Sequence, residues 1–217
     1  MLGYCYLILA ALLGREITRP LLPEQRIKEK EVTPCWITFS AAFGCGVLFL
    51  TWAVYIAAWL FSTCGGMEKP LFAANLLVLA AVGLLLTGIY YRRKCSFKKI
   101  KEHISRNFPP RKEIFFFLIL FAAVMWIMFY VFHISGGYLY SGFTVFGDYA
   151  PHTAMMRSFS LGNNFPTQYP HFGGADVKYH FMFQFLTGNL EYLGMPIDVG
   201  YKLVSSLSLW GFFAMLY

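Results

Sequence analysis

Long apolar runs alternate with short polar and basic segments along this chain, and that block pattern predicts helices that cross a membrane. Five runs stand out: Leu2 to Leu13, Trp36 to Phe61, Pro70 to Tyr91, Ile114 to His133 and Val199 to Tyr217. A helix needs ~20 apolar residues to span a bilayer, and most of these runs approach or exceed that. The first is short, but it has no basic lead and no small-residue cleavage site, so it reads as a helix rather than a removable leader. Pro70 opens the third run, which suits the first turn of a helix. The last run reaches Tyr217 without a polar flank, which predicts that the chain is the amino-terminal portion of a longer polytopic protein.

The polar segments fix the orientation. Arg15, Arg19, Arg26, Lys28 and Lys30 separate the first two runs, and Arg92, Arg93, Lys94, Lys98, Lys99, Lys101, Arg106, Arg111 and Lys112 separate the third and fourth. The second and third are separated by Lys69 alone among basic residues, and the fourth and fifth by Arg157 and Lys178. Positive charge stays on the cytoplasmic side, so the amino terminus and the long loop after the fourth run face outward.

Composition agrees with this picture. The chain is 58% hydrophobic and 13% charged, against roughly 25% charged in a soluble domain. Its net charge of +7 raises a nucleic-acid reading. The basic residues cluster in loops between apolar runs, however, which points to membrane orientation and away from nucleic acid. Cys5, Cys35, Cys45, Cys64 and Cys95 contain no CxxC pair and predict no disulfide framework.

The expected fold is therefore all-α, a polytopic transmembrane helix bundle with interfacial amphipathic helices in an outward loop. Residues 1–133 hold four spans and two basic cytoplasmic loops, residues 134–198 the outward loop, and residues 199–217 a fifth span. Tyr138, Tyr140, Phe143 and Phe146 suit the half-wet headgroup zone. A first loop helix is expected from Ala150 to Leu161, with Asp148 as its cap, Pro151 in its first turn and Gly162 as its stop. A second is expected from about Val177 to Leu193, where Phe181, Met182, Phe185, Leu186, Leu190 and Leu193 recur at helical spacing.

Candidate chemistry gathers in this loop, which holds four of the eleven acidic residues and three of the five histidines. Asp148 with His152, and Asp176 with His180, are each spaced by four, which puts both side chains on one face of a helix. A carboxylate can orient an imidazole, act as a base, or join it as a metal ligand, and His171 could add a further ligand. The candidate metal set is Asp148, His152, Asp176 and His180. The bland alternative makes the aspartates helix caps and the histidines interfacial polar groups. Arg157 and Lys178 can neutralise a phosphate or meet phospholipid headgroups. Lys202 either snorkels to the outer interface or joins an anionic-ligand site, with Tyr179 as a further substrate contact.

At these residues the chain resembles bacterial polytopic proteins related to the C-type membrane glycosyltransferase superfamily. The likeness lies in Asp148…His152, the run Arg157-Ser158-Phe159-Ser160-Leu161-Gly162-Asn163-Asn164-Phe165-Pro166, then Pro170-His171-Phe172-Gly173-Gly174, Tyr179-His180-Phe181 and Leu190-Glu191-Tyr192-Leu193-Gly194. Many members carry two adjacent acids where this chain has Asp148 alone, and here four spans precede the motif. The resemblance implies a bacterial cytoplasmic-membrane enzyme that moves a sugar from a polyprenyl-phosphate carrier to an acceptor on the outer face. Asp148 would then be the general base or a ligand of a divalent ion such as Mg or Mn. His152 and His180 would tune or share the base role, and Arg157 or Lys178 would steady the leaving phosphate. Two other classes stay open: a transporter or flippase for a lipid-linked glycan, and a non-catalytic membrane assembly protein.

Overall fold

The computed structural model describes residues 1–22, 25–27, 30–32, 35–93, 109–143 and 146–217. Among them are seven helices: α1 (Leu2–Thr18), α2 (Cys35–Thr63), α3 (Pro70–Arg92), α4 (Arg111–Val131), α5 (Phe146–Ser160), α6 (Met182–Tyr192) and α7 (Ile197–Leu216). Two short antiparallel pairs complete the described elements, β1 (Gln25–Ile27) with β2 (Lys30–Val32), and β3 (Phe132–Ser135) with β4 (Tyr138–Ser141). The basic side chains of Arg26, Lys28, Lys30, Lys94, Lys98, Lys99, Lys101 and Arg106, together with Cys95 and the Phe146 ring, lie outside the described residues.

Four helices, α2, α3, α4 and α7, are long and apolar enough to cross a membrane, which makes this a multi-pass membrane protein. The expected first span, α1, is a helix of 17 residues. At ~1.5 Å per residue it is a few ångströms shorter than the ~30 Å hydrocarbon core. It extends beyond Leu13 to include Arg15 and Glu16, and Glu16 forms an ion pair with Arg93 at the end of α3.

The α2 helix stands at the centre, packed by α1, α3, α6 and α7. Its crossing with α1 is unusually close. Ala10 and Gly14 on α1 face Ala42 and Gly46 on α2, each pair at the spacing that places small residues on one helix face. A Cβ on Gly14 would lie 1.8 Å from the Ala42 carbonyl oxygen, and one on Gly46 would lie 1.8 Å from that of Ala10. Only glycine lets the two backbones meet this way. Nearby, the Tyr6 hydroxyl donates to Thr51 Oγ1 at 3.2 Å. Asn75 on α3 and Asn189 on α6 exchange side-chain hydrogen bonds of 2.7 and 3.1 Å, both buried. A buried amide with a full set of partners avoids the desolvation cost of a lone one.

The α4 helix joins the bundle mainly through α7. The Phe117, Trp36 and Trp210 rings meet there tilted or edge-on, Trp210 Nε1 donates to the Phe117 carbonyl at 3.0 Å, and Trp36 Nε1 donates to Glu113 Oε2 at 3.2 Å. The outer faces of α3 and α4 are rich in exposed Leu, Phe and Trp, as a lipid-facing surface requires. The Glu16–Arg93 and Trp36–Glu113 contacts bring the flanks of both basic segments to one end of the bundle, while α5 and α6 sit at the other.

That second end departs from expectation in three places. The fourth span stops at Val131, and His133 lies in β3, the first strand of a hairpin. Gly136 and Gly137 make its turn, both with positive φ, the pairing a two-residue hairpin loop demands. The α5 helix starts at Phe146, so Asp148 sits within its first turn instead of capping it, and Pro151 falls one turn further in, removing a bond that would reach the Gly147 carbonyl. Finally, α6 begins five residues later than Val177 and is not an interfacial helix on the surface. Gln184 to Leu190 are buried in succession between α5, α1, α2 and α7.

Candidate functional site

The site is built on the seam between α5 and α6. Gln184, Gly188 and Glu191 share one face of α6 and meet His152, Met156 and Ser160 of α5 in the same order, so the two helices run side by side in one direction. At the near end, Gln184 Nε2 and His152 Nδ1 are 2.7 Å apart. In the middle, a Cβ on Gly188 would lie 2.3 Å from the Met156 carbonyl oxygen. At the far end, Ser160 Oγ donates to Glu191 Oε2 at 2.6 Å, and Arg157 Nε stands 3.4 Å from Glu191 Oε1.

Parallel helices need a return connector, and residues 161–181 supply it. Asn164 organises its turn: its Nδ2 donates to Ser158 Oγ and to the Gln168 carbonyl, and its Oδ1 accepts from the Gln168 N–H. Ser62 Oγ donates to the Phe165 carbonyl at 2.6 Å, and the Tyr55 and Thr167 hydroxyls are 2.9 Å apart, which fastens the connector to the end of α2. The stretch Gly162-Asn163-Asn164-Phe165 is thus held in the structure by its own polar contacts. Further on, His171 Nε2 donates to the Pro151 carbonyl at 3.2 Å and pins the connector over the start of α5.

Beneath it lies a cavity of about 170 Å³. Asp148 and His152 line it from one face of α5, Gln184 closes its floor from α6, and His171, Tyr179 and His180 line it from the connector. The sequence pairing of Asp148 with His152 holds, because both are helical and separated by about one turn. The pairing of Asp176 with His180 does not. Asp176 sits in an isolated antiparallel bridge with Gln168, and the backbone stays non-helical up to His180, so spacing by four no longer means a shared face. His180 reaches the cavity wall and Asp176 does not. Tyr179 packs against His180 with ring centroids 3.8 Å apart and lies 6.3 Å from the His152 ring.

The candidate cations are elsewhere. Arg157 projects from the opposite face of α5 into a second groove of about 320 Å³ with Tyr149 and Thr153, and it is paired with Glu191. Lys178 is exposed and is not part of the cavity lining. Lys202 is buried, 2.7 Å from Asp198 Oδ2 and 5.1 Å from the Phe129 ring centroid, so it neither snorkels free nor faces the cavity. The proposed ligand set Asp148, His152, Asp176 and His180 is not assembled. Among the described residues, no three His, Cys, Asp or Glu side chains come together to hold a metal ion.

On the groove side, the Tyr149 and Tyr201 hydroxyls meet at 2.5 Å and tie α5 to α7. Burial pushes the Tyr149 hydroxyl well above the usual phenol range, and its hydrogen bond and charge interaction with Tyr201 add to this. Tyr149 is therefore a neutral strut.

No family model, curated protein or solved structure matches this chain. The case for a function rests on the residues themselves. Gln184 escaped the sequence reading, and Glu191 figured there only within the resembling run, without a role. The signal for Gln184 is a single amide inside the aromatic run Phe181-Met182-Phe183-Gln184-Phe185, where an apolar side chain would be the ordinary choice for a buried position.

Proposed function

We propose that this protein transfers a sugar from a polyprenyl-phosphate carrier to an acceptor hydroxyl at the outer face of a bacterial cytoplasmic membrane. The observation that carries the reading is the placement of Asp148 and His152 on one helical face of a cavity shared with His180 and Tyr179, at the end of a lipid-exposed bundle. A carrier with a long isoprenoid tail would keep the tail in the bilayer beside α3 or α4 and lift its headgroup toward α5. Asp148 accepts the proton of the acceptor hydroxyl as that oxygen bonds to the anomeric carbon. The bond from the anomeric carbon to the phosphate oxygen breaks, and the polyprenyl phosphate leaves with the electron pair. A single displacement of this kind inverts the anomeric centre. His152 and His180, which line the cavity, would donate hydrogen bonds to the departing oxygen, a role that matters most where charge develops. Arg157 lies across the helix, so it would serve the carrier phosphate only by leaving Glu191. No step is assigned to a divalent ion, for which no ligand set is gathered among the described residues.

The test is sugar transfer by the purified protein in vesicles supplied with polyprenyl-phosphate hexoses. Asp148→Asn is expected to lower turnover by a factor on the order of 10²–10⁴ while leaving the fold intact, since the carboxylate is exposed. A wild-type protein that turns over none of these carriers, with Asp148→Asn indistinguishable from it in cells, would overturn the reading.

A further inference from the structure

Gln184 is 3% exposed, yet one end of its amide has no partner. Its Nε2 and His152 Nδ1 are 2.7 Å apart, while Oε1 is buried without a hydrogen bond on a side chain that lines the cavity. A buried acceptor without a donor is costly, on the order of 1–3 kcal/mol, and such exceptions call for a reason.

The end of the amide that faces His152 is its nitrogen, which can only donate, so the ring nitrogen it meets is the acceptor. A ring nitrogen that accepts from the amide carries no proton. His152 Nδ1 is that nitrogen, so the neutral ring holds its proton on Nε2.

We propose that Gln184 is a positioning residue which locks neutral His152 in the Nε2–H tautomer, making it a hydrogen-bond donor to the ligand and leaving Asp148 as the base. The same amide presents Oε1 as an acceptor for a hydroxyl of the bound sugar. This second part rests on the glycosyl-transfer reading, and the first does not. A sugar hydroxyl suits the position because it gives a proton to Oε1 while its own oxygen can accept from a neighbour such as His152. One buried amide thereby sets both the polarity of the histidine and one contact to the substrate.

The tautomer is read by ¹⁵N NMR of histidine-labelled full-length protein at alkaline pH, with His152→Gln used to assign the signals. The wild type is expected to show protonation at Nε2. Gln184→Met, similar in shape but without an amide, is expected to give a mixture of tautomers. Gln184→Glu, whose carboxylate only accepts, is expected to move the proton to Nδ1. Protonation at Nδ1 in the wild type would overturn the assignment without recourse to any variant, as would a tautomer unchanged by Gln184→Met. The ligand contact is read by titrating a short-chain prenyl-phosphate hexose into the same samples. Gln184→Met is expected to bind it roughly tenfold more weakly. Equal binding overturns the hydroxyl contact. No binding by the wild type overturns that contact together with the glycosyl-transfer reading, and the tautomer is still decided by the NMR signals alone.

Discussion

Gly188 is the position at which a single methyl group should cost most to the site. An alanine Cβ there would stand 2.3 Å from the Met156 carbonyl oxygen and 3.2 Å from Phe159 Cβ. Ordinary contact begins at 3.4 Å, so α5 and α6 must separate by about 1 Å, and the obstacle is backbone rather than a flexible side-chain tip. His152 and Gln184 sit one helical turn back along the same seam, where their hydrogen bond is 2.7 Å long. A retreat of that size stretches it beyond useful length. Overpacking costs about 2 kcal/mol and the lost hydrogen bond about 1, while alanine returns about 1 through helix propensity. The net expectation is a loss of about 2 kcal/mol. Gly44→Ala is the matched control, since a Cβ there meets nothing within 4 Å. Denaturant titration in mixed micelles should show Gly188→Ala unfolding earlier and Gly44→Ala unfolding no earlier than the wild type. Should the two variants unfold together, the close seam that positions His152 against Gln184 does not exist as described.

The crossing of α1 and α2 makes a harsher demand, because the obstacle lies at 1.8 Å on both sides. Gly46→Leu is expected to cost about 3 kcal/mol or more and to abolish a monodisperse peak in size-exclusion chromatography, whereas Gly83→Leu, in open space on α3, should leave the peak unchanged. The reciprocal amide pair predicts a strong coupling: Asn75→Leu alone strands Asn189 and should cost about 2 kcal/mol, while the double change with Asn189→Leu should recover most of it. A double-mutant cycle by denaturant titration checks the pair.

The spans were legible because lipid imposes a simple rule, an unbroken apolar stretch of set length, and α2, α3 and α7 begin and end within about two residues of the runs that predict them. The fourth run misled at its end. Phe132 and His133 continue the hydrophobic pattern, but Gly136-Gly137 turns the chain back on itself and makes those residues a strand. Asp148 and His152 were legible because helical spacing is local information. Asp176 and His180 were misread because the apolar period of α6 continues upstream to Val177, whereas the Tyr169 N–H to Ala175 carbonyl bond and the bridge to Gln168 hold that stretch extended. Glu191 as the partner of Arg157 depends on how two distant helices lie against each other, which no spacing in the chain encodes.

Glu191 is gripped twice, by the Ser160 hydroxyl and by the Arg157 guanidinium. The hydroxyl bond, at 2.6 Å, is the shorter, and the arginine contact, at 3.4 Å, is half open to water. Arg157 therefore doubles a fastening that Ser160 already makes, and its loss should loosen this end of the seam less than the loss of Ser160 would.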